Sequence, residues 1–462
     1  MDSFSENDIQ DYPEALAPLP IERSAEMPML WDEEHIRLTD FCARSESLYE
    51  TYLQLPVVAA ALENNQTLKD NNVSVADTVA ALTRADWSML ELLHSMDLEV
   101  VQSIVNNTFA YDVVQRNITC FPMPRRATDV IPGVHVIGLS LEQYCGQFLN
   151  TKEIERLFEQ MKEYVAGYKA NVKYQSAPTT LSKDEKLARH HVNRVDKHAA
   201  GEFVKDIPAF ITRGEDIPSI EALIKTFEKM CDRSLDSTGL TRMLQSPLYV
   251  DCSTNLYNSV AVYGEDNVRN ITRPLGHTVS ILRKLGHKAE LTIGNVVRVW
   301  KSDQLPKAEQ LVTNLAGSLV YQHEFNAIEE GATSHGTITD DEGLRTNTAY
   351  LFSGIRIFDS NLRDSLEEAA LCERYLKDMN RVNAHLIEII DFLDECTKEL
   401  ESLPPDFQWN ETLSEFEKLI QKLNKDVEDM EGALKFWKLI LDIQNIVIKE
   451  TGRALPLGLG SD

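Results

Sequence analysis

The sequence predicts an α+β fold, predominantly helical: an N-terminal helical segment, a mixed α/β middle and a C-terminal antiparallel helical hairpin. Three observations carry this. Between residues 361 and 452 apolar side chains recur in steps of three and four along two stretches, as one face of a helix requires. Leu403-Pro404-Pro405-Asp406 separates the stretches and must break a helix, because proline lacks the amide donor and clashes with the preceding turn. Between 134 and 358, short β-branched runs alternate with helical patterns.

Taken in order, residues 1–50 hold 13 acidic and 3 basic side chains and four prolines, so they bury little and read as an acidic mobile segment. Residues 51–142 read as a helical N-terminal domain or propeptide. Val75 to Leu82 and then Trp87, Leu90 and Leu93 make apolar faces, and Asp97 is placed to cap a helix beginning at Leu98. Cys120 to Arg126 is a proline-punctuated linker, and Val134 to Gly138 is strand-like.

Residues 143–358 read as a mixed α/β domain. A helix is expected from 148 to about 172, with Ile154, Leu157, Met161, Tyr164 and Tyr168 on its stripe, and a polar stretch leads on to Lys197. Asp216-Ile217-Pro218-Ser219 starts another helix. Leu248 to Val250 reads as a strand. Leu291 to Ile293 and Val296 to Trp300 read as two strands around a Gly294-Asn295 turn. Pro306 to Glu329 is expected to be helical, Gly331 to Gly343 a loop, and Ala349 to Phe352 and Ile355 to Phe358 closing strands. Residues 359–462 form the hairpin. Its first helix carries Leu362, Leu366, Leu376, Met379, Leu386 and Leu393, its second Leu413, Phe416, Ile420, Val427, Leu434 and Leu441, and Gly452 ends it.

A chain of 462 residues with 43% hydrophobic side chains can build real cores. Its net charge of -27 argues against a dedicated nucleic-acid binder and against adhesion to an anionic membrane. Seven scattered cysteines without a Cys-x-x-Cys pair suggest neither a disulfide framework nor a zinc ribbon, and point to a reducing compartment. The N-terminus is acidic where a secretory signal would be basic and then apolar, and no run has the length to span a bilayer, so no signal peptide or membrane segment is expected.

The search for chemistry yields no phosphate loop, no His-Glu-x-x-His and no dinucleotide fingerprint, and no catalytic residue, metal or cofactor is expected. Gly138-Leu139-Ser140-Leu141-Glu142 begins like a nucleophile elbow but has Glu142 where that turn needs glycine. His190, His191 and His198 lie near Asp196 without a paired ligand set and read as a solvated polar helix or loop. Two basic stretches stand out: residues 164–198, and residues 267–301 with Arg269, Arg273, Arg283, Lys284, Lys288, Arg298 and Lys301 against Glu290 alone. Clustered cations of this kind are candidate polyanion contacts. Alternatively they pair with the chain's own acids.

An acidic N-terminal segment, Ser140-Leu141-Glu142, a helix-rich remainder and a helical C-terminus together resemble the internal head proteins of large tailed bacteriophages. The resemblance implies a non-enzymatic virion structural protein, cut after Glu142 by a prohead protease and packed inside the capsid. It implies other virion or scaffold proteins as partners through the C-terminal helices, and weak contact with packaged DNA. It also implies a cytoplasmic origin in the producing cell before the virion interior. Residues 1–142 hold 23 acidic and 8 basic side chains, so their removal leaves a less acidic body near the DNA. Ser24-Ala25-Glu26, Ser219-Ile220-Glu221 and Ser365-Leu366-Glu367 match the same short pattern. Two rivals stand beside this reading: a cytosolic coiled-coil adaptor using the hairpin as its docking surface, and an α/β enzyme with its site in 250–358. The resemblance predicts a mature N-terminus at Gln143, which N-terminal sequencing of protein from its native source reads directly; a single species starting at Met1 excludes processing.

Overall fold

Val134, Val136, Ile137, Leu139 and Leu141 crowd large apolar side chains onto both sides of a short run, as a strand covered on both faces requires. They form β1, Gly133–Leu141, and all nine of its residues are buried. The computed structural model describes residues 38–39, 42–43, 46–71, 73–84, 87–176, 181–199, 207–231, 236–263, 268, 273–319, 325–326, 341–402, 418–423 and 425. The chain divides into two compact units, Met1–Ser365 and Leu366–Asp462.

In the first unit β1 is the middle of a three-stranded antiparallel sheet, between β2, Leu248–Ser253, and β3, Ala289–Arg298. The period-two alternation of strand side chains then sorts β1 between two cores. Val134 and Val136 join Leu248, Val250 and Val297 in the first core; Ile137, Leu139 and Leu141 join Tyr249 and Ile293 in the second.

Helices α1 (Tyr49–Asn64), α2 (Gln66–Asp70), α3 (Ala76–Arg84), α4 (Trp87–His94), α5 (Leu98–Val105) and α6 (Phe109–Tyr111) contribute to the first core. The Asp97 carboxylate caps α5 by accepting from the Glu99 amide at 2.9 Å, as its position predicts. The second core is built by α7 (Thr151–Ser176), α8 (Lys183–Asp196) and α9 (Ile217–Met230), while α10 (Leu256–Ala261) follows β2. The polar stretch before Lys197 is thus a helix; Ser182 and Glu185 form a reciprocal capping box at its start. α11 (Arg273–Lys284) packs on α7 and α8, and α12 (Gln304–Ala316) lies on the first core.

Several expectations are corrected. Gly294-Asn295 is no turn: β3 runs through it, and the register shifts between Val134 and His135 in a bulge. Gly294 is needed there because a Cβ would come within 2.4 Å of Phe109 Cζ and 2.6 Å of Cys120 Sγ. α12 ends at Gly317, in the left-handed region at φ 61°, well short of Glu329. Residues 349–358 are helical rather than paired strands: α13 (Asp341–Ala349) opens into a wide turn, Tyr350–Gly354, and α14 begins at Ile357. β1 ends at Leu141, just before the boundary expected at 142, and the two compact units divide between Ser365 and Leu366. Most of residues 1–50 lies outside the described residues.

α14 spans Ile357–Ser402. Its first two turns are fastened to the body: Asn361 Nδ2 donates to the carbonyls of His94 at 2.9 Å and Met96 at 2.6 Å. The Ser365 hydroxyl sits 2.8 Å from His94 Nε2, while His94 Nδ1 lies 2.8 Å from the Leu90 carbonyl. A carbonyl only accepts, so the proton of neutral His94 is on Nδ1 and Ser365 donates to Nε2. Of the expected second helix only 418–423 and 425 are described, and they are helical; the rest of the Leu413 to Leu441 seam lies outside the described residues. Among the described residues no helix is long and apolar enough to cross a membrane.

Replacing Gly294 by valine should destabilise the body by about 1–3 kcal/mol, because the added carbons must displace Phe109 or Cys120. Urea denaturation reads this, and an unchanged midpoint would contradict the close approach.

Candidate functional site

Among the described residues the cations of 267–301 do not form one surface. Arg273 is paired with Asp216, Lys301 with Glu91, and Lys288 with Glu142 at 3.2 Å. Arg298 is only 4% exposed; its guanidinium lies 4.2 Å from the Tyr350 ring centre and donates to the Pro122 carbonyl at 2.6 Å. Arg269 lies outside the described residues. The earlier stretch is spent in a similar way: Lys169 pairs with Glu221 at 3.4 Å and Lys173 with Glu185 at 2.6 Å, while Arg189 stacks 3.7 Å over Tyr174.

One cluster does bring the two stretches together. α7, α8 and α11 converge because Gly167 lets α8 approach closely: a Cβ there would stand 2.3 Å from the Ala188 carbonyl. The Ser280 hydroxyl ties α11 to the Val195 carbonyl at 2.8 Å. Lys284, at the end of α11, then meets Gln160 Oε1 and lies 3.3 Å from His191 Nδ1. Arg283 faces His198 across the same junction.

Geometry fixes the protonation. His191 Nε2 lies 3.0 Å from the Gln160 carbonyl and must donate to it, which leaves the Nδ1 lone pair to accept from Lys284. The Glu163 carboxylate is also 3.0 Å from Nδ1, but two acceptors bond only through an added proton. Burial and then the Lys284 charge hold the His191 pKa down to about 3, so we assign Glu163 as a counter-charge to Lys284 rather than a bonded partner of the imidazole. Burial, then Arg194, pulls the Lys284 pKa down to about 8 despite Glu163.

Two polar features gave no sequence signal. His277 on α11 is wholly buried, its ring 4.4 Å from Tyr164 and 5.5 Å from Phe210, and neither ring nitrogen has a partner. Tyr164 in turn donates to Asp196 at 2.8 Å. On the sheet, register puts Asp251, His135 and Asn295 side by side across β2, β1 and β3. His135 Nε2 is 3.6 Å from the Asp251 carboxylate, which accepts from Ser259 and Tyr263 at 3.1 Å each. The side chains of His135 and Asn295 are fully buried and make no hydrogen bond, and burial lowers the His135 pKa. Isolated histidines at these positions follow no motif, so only the packing reveals them.

The residues of the candidate processing site are split. Ser140 and Leu141 are buried in the middle strand of the sheet, with the Ser140 hydroxyl unpartnered, whereas Glu142 opens the next turn and is paired with Lys288. Comparison with family models, with curated proteins and with solved structures finds no match to this chain.

The buried imidazoles make the body acid-sensitive. His191 and His277 titrate at about 3 in the fold against an ordinary value of 6.5, so the unfolded chain binds more protons as pH falls. Their stabilisation is complete above 6.5 and is lost from there down to about 3, at up to about 1.4 kcal/mol per pH unit for each histidine. Urea denaturation at a series of pH values should show this slope, and His277→Phe should flatten it.

Proposed function

We propose that this chain is a non-enzymatic structural protein that builds into a larger assembly, in the manner of the internal head proteins of large tailed bacteriophages. One observation carries the reading. From Leu366 to Leu393, α14 leaves large apolar side chains in water, among them Leu376, Met379, Val382 and Leu386. A run of apolar surface that long marks an interaction face. The first unit gathers most of its large apolar side chains into two cores and exposes others only singly, such as Leu53, Trp87 and Ile207.

The partners of this reading are other virion or scaffold proteins that lie against the α14 stripe. Packaged DNA would be a weak neighbour, because Arg273, Lys288 and Lys301 are each matched by a carboxylate of the same chain and Arg298 is enclosed. Cleavage after Glu142 belongs to the reading only as an early event. A protease must draw several residues into its cleft, and the residues before Glu142 are the middle strand of the sheet, so cutting the folded body requires opening it.

Peptide mapping and intact mass of purified particles test this. The chain should be recovered from particles, and its first residue states whether cleavage has occurred. Recovery only from the soluble fraction of the producing cell would overturn the particle reading and favour the cytosolic adaptor, which would use the same stripe. In parallel, a glutamate-specific protease should leave the Glu142–Gln143 bond of the native chain intact and cut it only after denaturation.

A further inference from the structure

We propose that the guanidinium of Arg298 holds a small anionic ligand through a carboxylate or phosphate group. Such a site stands apart from the assembly reading above, and its absence would leave that reading untouched.

Arg298 is a buried cation without a counter-charge. It is 4% exposed, and among the described residues no carboxylate is paired with it. Its contacts are neutral: Nη2 donates to the Pro122 carbonyl at 2.6 Å, the ring centres of Tyr350 and Phe121 lie 4.2 Å and 5.8 Å from the guanidinium carbon, and Nε has no partner. Burial lowers its pKa, yet a guanidinium stays charged in proteins. Two ring faces and one carbonyl bring no negative charge, so the cost of taking the cation out of water is only partly offset. Scarcity of acids is not the reason, since the chain has 73 acidic side chains against 46 basic ones, and Arg273, Lys288 and Lys301 each have their own carboxylate. An oxyanion completes the balance, because the planar fork of Nε and Nη donors matches carboxylate or phosphate oxygens two at a time.

The neighbouring groups suit the rest of a polar ligand. Val296 and Val297 both join the first core across the bulge in β3, which returns Arg298 to the face of the sheet that carries Asn295. Gly133 is paired with Arg298 in the register, and a Cβ there would come 3.4 Å from Asn295 Oδ1. Asn295 is paired in turn with His135. The side chains of both are fully buried, and none of their four polar atoms has a partner. Neutral donors and acceptors therefore follow the cation along one face, the arrangement that fixes a small ligand's orientation. The cover over the guanidinium is thin, for Pro122 is exposed and Tyr350 half-buried. This enclosure suits a small anion and shuts out a nucleic-acid duplex.

Thermal unfolding of the full chain in inorganic phosphate and in succinate, each against sodium chloride of equal ionic strength, tests the inference. At least one of the two anions should raise the midpoint saturably, because a ligand held only by the folded state stabilises it, and the one that does so identifies the oxyanion. Arg298→Met, which removes the charge and keeps a long side chain, should abolish the rise. Arg273→Gln, which removes a cation of the same stretch paired with Asp216, should leave it unchanged. Should Arg298→Met not fold, Arg298→Lys decides: it keeps the charge and loses the fork, so the half-saturating concentration should increase about tenfold. No rise beyond chloride with either anion would overturn the inference. A rise that survives Arg298→Met, or a half-saturating concentration unmoved by Arg298→Lys, would overturn it too, because the anion then sits elsewhere.

Discussion

Both cores of the body depend on β1. A strand in the middle of a three-stranded sheet has no free edge, and one buried on both faces has no side chain to spare for water. Its even-numbered positions hold the N-terminal helices and its odd-numbered ones the α7 to α11 layer, so the two halves cannot be separated without exposing an apolar face. The glycines follow from the same demand. Gly138 brings β1 onto Ala110, where a Cβ would stand at 2.9 Å, and Gly294 brings β3 onto Phe109. The bulge beside Gly294 sets Asn295 level with His135.

How much of this the sequence reveals depends on whether a feature is local. The Asp97 cap, the runs at Val134 and Leu248, and the long helical pattern starting near residue 150 are written in neighbouring residues, and each appears where those residues put it. Gly294-Asn295 misleads because the reason for the glycine is a ring from a helix far away in sequence. Residues 349–358 mislead because they are aromatic and β-branched for packing, not for pairing: Phe352 meets Trp300 at 5.4 Å and Phe358 at 5.3 Å, edge to face. Of the candidate site residues, Lys284 and Arg283 do join the other basic stretch, at His191 and His198. Arg298 is concealed instead, since no charge count distinguishes a cation over an aromatic ring from one in water.

The charge balance has the same character. Arg273, Lys288 and Lys301 are each paired with a carboxylate of the same chain, and the net charge of -27 favours solubility and keeps anionic surfaces at a distance. Against that background Leu376, Met379, Val382 and Leu386 of α14 stand out as exposed apolar side chains.

The order of the sheet also fixes a sequence of events during synthesis. β1 needs β2 on one side and β3 on the other, and β3 leaves the ribosome roughly 150 residues after β1, on the order of 10–30 s at ordinary elongation rates. Until β2 follows, roughly 110 residues on, Val134 to Leu141 has no strand partner, and until β3 follows it keeps one open edge. The nascent chain is then most in need of a chaperone, and the bond after Glu142 is most open to any enzyme that travels with it.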